Sequence, residues 1–254
     1  MLHTHPLDQA RALGSAATEP WDLRVGAWRI RLRPWGPDIG PAMALRAARF
    51  RGGADDRDAH DAAALHLTIA RAGDADRPSA YARLTRSDRA AMAAGYAARF
   101  YDLGPFAARH APALEVGRVC LDGADPDLPR LLLAALARAL AAFDARALYG
   151  CASFPGIAPP ALALLRPHRA PDWGPRRRSP DAIDLPAMRT GTGAGAGAAV
   201  LPPLLRLYLA LGAVVSDHAV IDRDLRTTHV LAMLPAARVA PARARRLQAM
   251  LAPA

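Results

Sequence analysis

The chain has 254 residues, enough for one large domain or two small ones with a sizeable core, and 52% of them are hydrophobic, which excludes a disordered chain. The formal net charge is +10, and every basic residue is an arginine. That balance fits an acidic partner such as nucleic acid, an anionic membrane surface or an acidic carrier protein, but aromatic residues are only 6% and no basic stripe is interleaved with them, which argues against nucleic acid.

In chain order, residues 1–27 are polar and mixed and read as a loose arm. WRIRLRP (Trp28–Pro34) alternates as a strand does. AMALRAARF (Ala42–Phe50) has helical spacing, and RGGADDRDAHD (Arg51–Asp61) is a charged loop. AALHLTIA and SAYARLTR alternate on either side of the turn segment AGDADRP, and read as an antiparallel hairpin. Asp88–Arg109 reads as helix with a break near Gly104 and Pro105. ALEVGRVCL (Ala113–Leu121) is a strand, Leu128–Phe143 a helix, and ALYGCASF (Ala147–Phe154) a buried strand, as expected where a crossover helix returns the chain in parallel. Pro159–Arg169 reads as a short helix. Residues 171–199, rich in Pro, Gly and Arg, read as a flexible insertion. Leu201–Ala213 is helical, with prolines suited to its first turn. VVSDHAVIDRD and THVLAML supply closing strands, and Pro241–Leu251 a last helix. The sum is a mixed α/β domain.

Several motifs carry less than they suggest. TGTGAGAGAA (Thr190–Ala199) lacks the preceding strand of a phosphate loop and reads as linker. The histidines show no metal-ligand spacing, and the two cysteines, Cys120 and Cys151, form neither a disulfide framework nor a metal cluster, so no metal is expected. Cys151 lies beside Ser153 at a strand end, but no flanking cation is present to lower its thiol pKa and the turn lacks the spacing of a nucleophile elbow. His218 and His229 fit packing or hydrogen-bonding positions. Arg138 and Asp217 interrupt the longest apolar stretches short of the ~20 residues a membrane span needs. The N-terminus lacks the apolar core of a secretory signal, so a cytoplasmic protein is expected.

LRAARFRGG with the following DRDAHD, FYDLGPF before LEVGRVCLD, LYGCASFPGI, and LPPLLRLYLALGAVVSDHAVIDRDLRTTHVLAML occur in that order over about residues 28–250. Together they resemble the GCN5-related N-acyltransferase (GNAT) fold, and within it the bacterial ornithine–acyl-carrier-protein N-acyltransferases of ornithine-lipid synthesis. These are relatives of the acyl-homoserine-lactone synthases, whose sparse polar pattern is also present: Arg46 with Phe50, Asp58 with Asp61, Arg83 on a strand, and Glu115 with Arg118. The loop from Phe50 to Asp58 is shorter than in the lactone synthases.

The resemblance implies one domain over 28–254 with a mixed (α+β) sheet whose central strands splay. A thioester arm lies in the gap between ALEVGRVCL and ALYGCASF, with Cys120, Cys151 and Ser153 on its walls. The amine attacks the thioester directly, with Glu115 as proton acceptor and backbone N–H groups for the oxyanion. Arg46 or Arg118 holds the amino acid's carboxylate, and Asp58 or Asp61 its side-chain ammonium. The same charged set is also read as an ion-pair network ordering the N-terminal platform. The loop where acetyl-CoA users cradle pyrophosphate reads LDGADPDLP, whose aspartates disfavour CoA. The donor implied is therefore the phosphopantetheine arm of acyl carrier protein, with no permanently bound cofactor. The acceptor is L-ornithine, with glutamine or glycine as alternatives, and the product suits a peripheral position on the anionic inner membrane. A carrier-protein binder without catalysis is the competing class.

Overall fold

The computed structural model describes residues 20–74, 76–122, 125–186 and 201–252. Its strands are β1 (Trp21–Val25), β2 (Trp28–Pro34), β3 (Leu65–Arg71), β4 (Pro78–Ser87), β5 (Tyr101–Asp102), β6 (Ala113–Leu121), β7 (Ala147–Pro155), β8 (Arg176–Arg177), β9 (Ala182–Asp184), β10 (Val214–Val215), β11 (His218–Asp222) and β12 (Thr227–Pro235). The helices are α1 (Gly40–Arg51), α2 (Gly104–His110), α3 (Leu128–Ala142), α4 (Pro203–Ala210) and α5 (Pro241–Ala249).

The main sheet runs β1-β2-β3-β4-β6-β7-β12-β11-β9, with β10 also on β12. Its pairs are antiparallel except β6–β7, which α3 connects as a crossover. Alternation sorts the side chains onto two faces. Ile30, Leu32, Leu67, Ile69, Leu84, Leu148 and Val230 pack beneath α3, whose Leu132, Leu136 and Ala139 are fully buried. The α4 and α5 helices lie against α3 on that side. On the opposite face, Tyr101, Phe106, Tyr149, Leu231 and Met233 form a second cluster, and Ile39, Ala42, Tyr81 and Cys120 a third beneath α1.

Three expectations change. The arm expected over 1–27 is a strand from Trp21: WDLRV alternates, its apolar residues pack on the core, and Asp22 pairs with Arg29 at 2.7 Å across the hairpin; residues 1–19 lie outside the described residues. The helix expected over Asp88–Arg109 is confined to Gly104–His110; before it the chain makes two 3-10 turns and β5, because it is docked onto β6 by side-chain contacts described below. Of the insertion expected over 171–199, the described part contributes β8 against β5 and β9 at the sheet edge, with Arg177 paired to Asp184. The rest, with TGTGAGAGAA, lies outside the described residues.

The feature that positions the site is the parting of β6 and β7. They pair only at Leu114–Leu148 and Glu115–Tyr149. Immediately beyond, β6 carries a bulge where its register with β4 shifts between Tyr81 and Arg83. Arg118, with φ 51°, sits in the left-handed region. A bulge inserts one residue and reverses the alternation downstream. Accordingly Leu114 and Val116 face α3 before it, Val119 and Leu121 face the same way after it, and Arg118 is turned to the opposite face. Gly150 sits where the strands part, and a Cβ there would collide with the Val116 carbonyl oxygen. Gly150→Ala is therefore expected to destabilise the fold by about 1–3 kcal/mol, read as a lower midpoint in urea denaturation.

Candidate active site

Beyond the parting, a cavity of about 300 Å³ passes between the two strands. On the α3 side its walls are apolar: Val119, Leu121, Ala152, Leu204 and Leu205, with Tyr208 of α4. On the other side they are polar: Tyr96, Glu115, Arg118, Ser153, Asp222 and His229, with Phe50 and Cys151. Ser153 and His229 are directly opposite neighbours on β7 and β12.

Glu115 is 6% exposed. Its Oε1 accepts the Ala97 N–H at 2.7 Å, and a Cβ at Gly95 would stand 2.5 Å from its Oε2. This carboxylate holds the 95–97 turn on the sheet and draws the chain out of a continuous helix. Burial pushes its pKa up, against the pull of the Ala97 N–H and the Arg83 charge. Arg118 donates through Nε to Asp56 at 2.9 Å and through Nη1 to the Tyr96 hydroxyl at 3.2 Å, and its guanidinium lies 5.5 Å from the Phe50 ring centre.

Glu115, Arg118, Phe50, Cys151 and Ser153 thus meet at the cavity, as the sequence suggested. Arg46, Asp58, Asp61 and Arg83 do not line it, and Cys120 packs with Tyr81 beneath α1. Arg46 is fully buried. It donates to Asp61 at 2.6 Å and to Asp56 at 2.9 and 3.1 Å, and Arg83 donates to Asp58 at 2.5 Å and Asp61 at 2.8 Å. With its donors taken up inside the protein, Arg46 has no fork to offer a substrate carboxylate. Asp58 and Asp61 are likewise answered by arginines. These residues form the ion-pair network that was the second reading of the motif. Arg118 is the member that the bulge delivers to the cavity.

Sequence reasoning missed Asp56, Tyr96, Tyr208, Asp222 and His229. Asp56 is one of several acids in DDRDAHD, and nothing in the sequence singles it out. Tyr208 lies on a helix read only as apolar, and its hydroxyl is buried with no partner among the described residues. His229 is 1% exposed. The Tyr101 hydroxyl donates to the His229 carbonyl oxygen at 3.0 Å and lies 3.0 Å from His229 Nδ1. With the phenol hydrogen on the carbonyl, Nδ1–H donates to the phenol oxygen and Nε2 keeps its lone pair. Nε2 is buried without a protein partner among the described residues. Burial holds the imidazole pKa down to about 4, so the ring is neutral at physiological pH. Cys151 is a poor nucleophile: burial first, then Glu115 and Asp222, push its thiol well above the ordinary range. Among the described residues no three His, Cys, Asp or Glu side chains converge to hold a metal, and no helix is long and apolar enough to cross a membrane.

A mixed sheet parted at its parallel β6–β7 pair, with a two-sided cavity through the gap, is the architecture of the GNAT class. Residues 43–124 match the acetyltransferase (GNAT) domain family. An L-ornithine N(alpha)-acyltransferase of Rhodobacter capsulatus is 33% identical over 233 residues, covering 82% of this chain and 90% of that protein. One of Rhizobium meliloti is 31% identical, covering 84% and 76%. Among solved structures, the AHL synthase LasI aligns at 16% identity over 49% of this chain and 72% of its own, with a TM-score of 0.38. The chain belongs to the L-ornithine N(alpha)-acyltransferase family.

Two stability measurements check this geometry. Arg46→Met removes one of the arginines that answer each of the buried acids Asp56 and Asp61, and is expected to cost about 3–5 kcal/mol in urea denaturation. His229 has a folded pKa of about 4 against 6.5 for the free side chain, so the unfolded chain takes up the proton first. Its contribution is whole above pH 6.5 and is lost as pH falls toward 4, on the order of 3 kcal/mol. His229→Gln should flatten that acid limb; His66, also lowered by burial, leaves a remainder.

Proposed function

We propose that this chain transfers a 3-hydroxyacyl group from acyl carrier protein to the α-amine of L-ornithine, giving a lyso-ornithine lipid. The observation that carries the reading is the two-sided cavity, in a chain whose relatives are named for N(alpha)-acylation of L-ornithine. The apolar side suits a phosphopantetheine arm and acyl chain, and the polar side suits an amino acid. The two meet at the gap, where the facing edges of β6 and β7 run unpaired beyond Glu115 and Tyr149.

The amine attacks the thioester carbon, the C–S bond breaks, and no acyl-enzyme forms. Glu115 accepts the amine proton; burial raises its basicity toward the range a general base needs. A second reading puts that proton on His229, favoured by its unpartnered Nε2 and neutral ring. Arg118 faces the substrate carboxylate. Backbone N–H groups along the parted strands stabilise the oxyanion. The Tyr208 hydroxyl, kept protonated by burial, donates a hydrogen bond to the leaving sulfur, which departs as a thiolate and takes its proton from solvent.

The donor preference is supported at the N-terminus of α3. There Asp125 accepts the Asp127 N–H at 3.0 Å, and Asp122 and Asp125 pair with Arg49 and Arg71. The chain's own carboxylates stand where a pyrophosphate would seek N–H donors. A carrier protein presents only one phosphate, and the net charge of +10 favours its approach. The same charge supports peripheral contact with an anionic membrane in the cytoplasm.

The test is free-thiol release from 3-hydroxyacyl carrier protein with L-ornithine, glutamine and glycine in turn, product mass confirming the amide. Ornithine-dependent release, much weaker with acyl-CoA, is expected. Glu115→Gln should lower kcat by about 10²–10⁴-fold if Glu115 is the base. A normal rate in that variant with a collapse in His229→Gln moves the proton to His229. Carrier binding without release from any amine would leave only a binding protein.

A further inference from the structure

An acid on the cavity wall, Asp222, has no cation paired with it among the described residues. Asp222 closes β11, is 6% exposed, and lines the polar side of the cavity. Its partner among the described residues is the Leu225 backbone N–H, at 3.0 Å from Oδ1. The nearby arginines are engaged elsewhere, Arg223 with Asp181 at 2.7 Å and Arg51 with Asp224 at 2.7 Å. Facing Asp222 are His229, diagonal to it on β12, and Cys151 and Tyr96 across the cavity. His229 and Cys151 are neutral at physiological pH, as is the Tyr96 phenol, whose pKa burial raises.

The contrast with the other buried acids is sharp. Asp56 receives Arg46, Arg51 and Arg118, and Asp61 receives Arg46 and Arg83. Glu115 has no salt bridge either among the described residues, but it accepts the Ala97 N–H and the Arg83 charge offsets its own. A buried carboxylate without a cation is costly, and it becomes favourable when a ligand supplies one. We infer that Asp222 receives the side-chain ammonium of the amine substrate and sets the enzyme's preference for amino acids with a cationic side chain. The role that Asp58 and Asp61 were expected to fill thereby passes to the opposite wall. There an ammonium at Asp222 and a carboxylate at Arg118 place the α-amine between β6 and β7. The inference rests on the reading of the cavity as an amino-acid acylation site.

The experiment compares L-ornithine with L-norvaline, which has the same carbon chain without the ammonium, in wild type, Asp222→Asn and Asp222→Glu. Asn keeps an oxygen for the Leu225 N–H, and thermal melts check that the variants fold. In turnover with 3-hydroxyacyl carrier protein, Asp222→Asn should raise KM for ornithine by about 100-fold and collapse the preference for ornithine over norvaline. Asp222→Glu should retain the preference. Direct titration of each amino acid into each protein should show the same collapse and needs no turnover, so it separates failure here from failure of the acylation reading. A loss of equal proportion for ornithine and norvaline, or an ornithine preference that survives Asp222→Asn, would overturn the assignment.

Discussion

The Asp56 carboxylate, 4% exposed, receives three guanidinium groups: those of Arg46 and Arg51 from α1 and that of Arg118 from β6. A helix, a charged loop and the central strand are fastened at this one point. The left-handed backbone at Arg118 costs on the order of 1–2 kcal/mol for a residue with a side chain. A hydrogen bond between charged groups contributes about 1.5–3 kcal/mol, and Arg118 makes one to Asp56 with a further bond to Tyr96. The balance favours the bulge. The bulge reverses the alternation of β6, parts it from β7 and opens the cavity. Platform and gap are therefore one construction: loosening Asp56 loosens the residue on which the parting turns.

This construction explains what could be read from the sequence. Strand alternation, the long apolar helix and its parallel return were plain, because each is set by local spacing, and β6 and β7 begin where the pattern placed them. The chain from Asp88 to Leu103 was misread. Its path is set by Glu115, distant in sequence, which accepts the Ala97 N–H and leaves no room for a side chain at residue 95. Composition there favours helix, and a tertiary hydrogen bond overrides it. Trp21–Val25 was lost in the polar arm because a single edge strand of five residues carries little signal.

Spacing and cavity coincide at Glu115 and Arg118, which line it. They part where spacing reports charge but not direction. Arg46, Asp58, Asp61 and Arg83 form a conspicuous pattern of charges, yet they answer one another inside the platform. Asp222 and His229 look ordinary in sequence. They become distinctive only when the fold shows that, among the described residues, one lacks a cation and the other leaves Nε2 without a protein partner. Unpaired groups carry no sequence signature, since what marks them is what does not pack nearby.

The two faces also make a cysteine at the gap a poor nucleophile. Cys151 shares the polar side with Glu115 and Asp222, and both raise the cost of its thiolate, beyond what burial already imposes; Arg118 opposes them with a weaker effect. A thiol kept protonated does not attack a thioester. The gap itself removes the need for such an intermediate. In the proposed reaction a donor enters from the α4 side and an amine past Arg118 and Asp222, so the two meet in one opening from opposite faces of the sheet and neither must leave before the other arrives. Holding both reactants together converts the transfer into a step within one complex, and the parity of β6, fixed by the bulge at Arg118, is what separates their approaches.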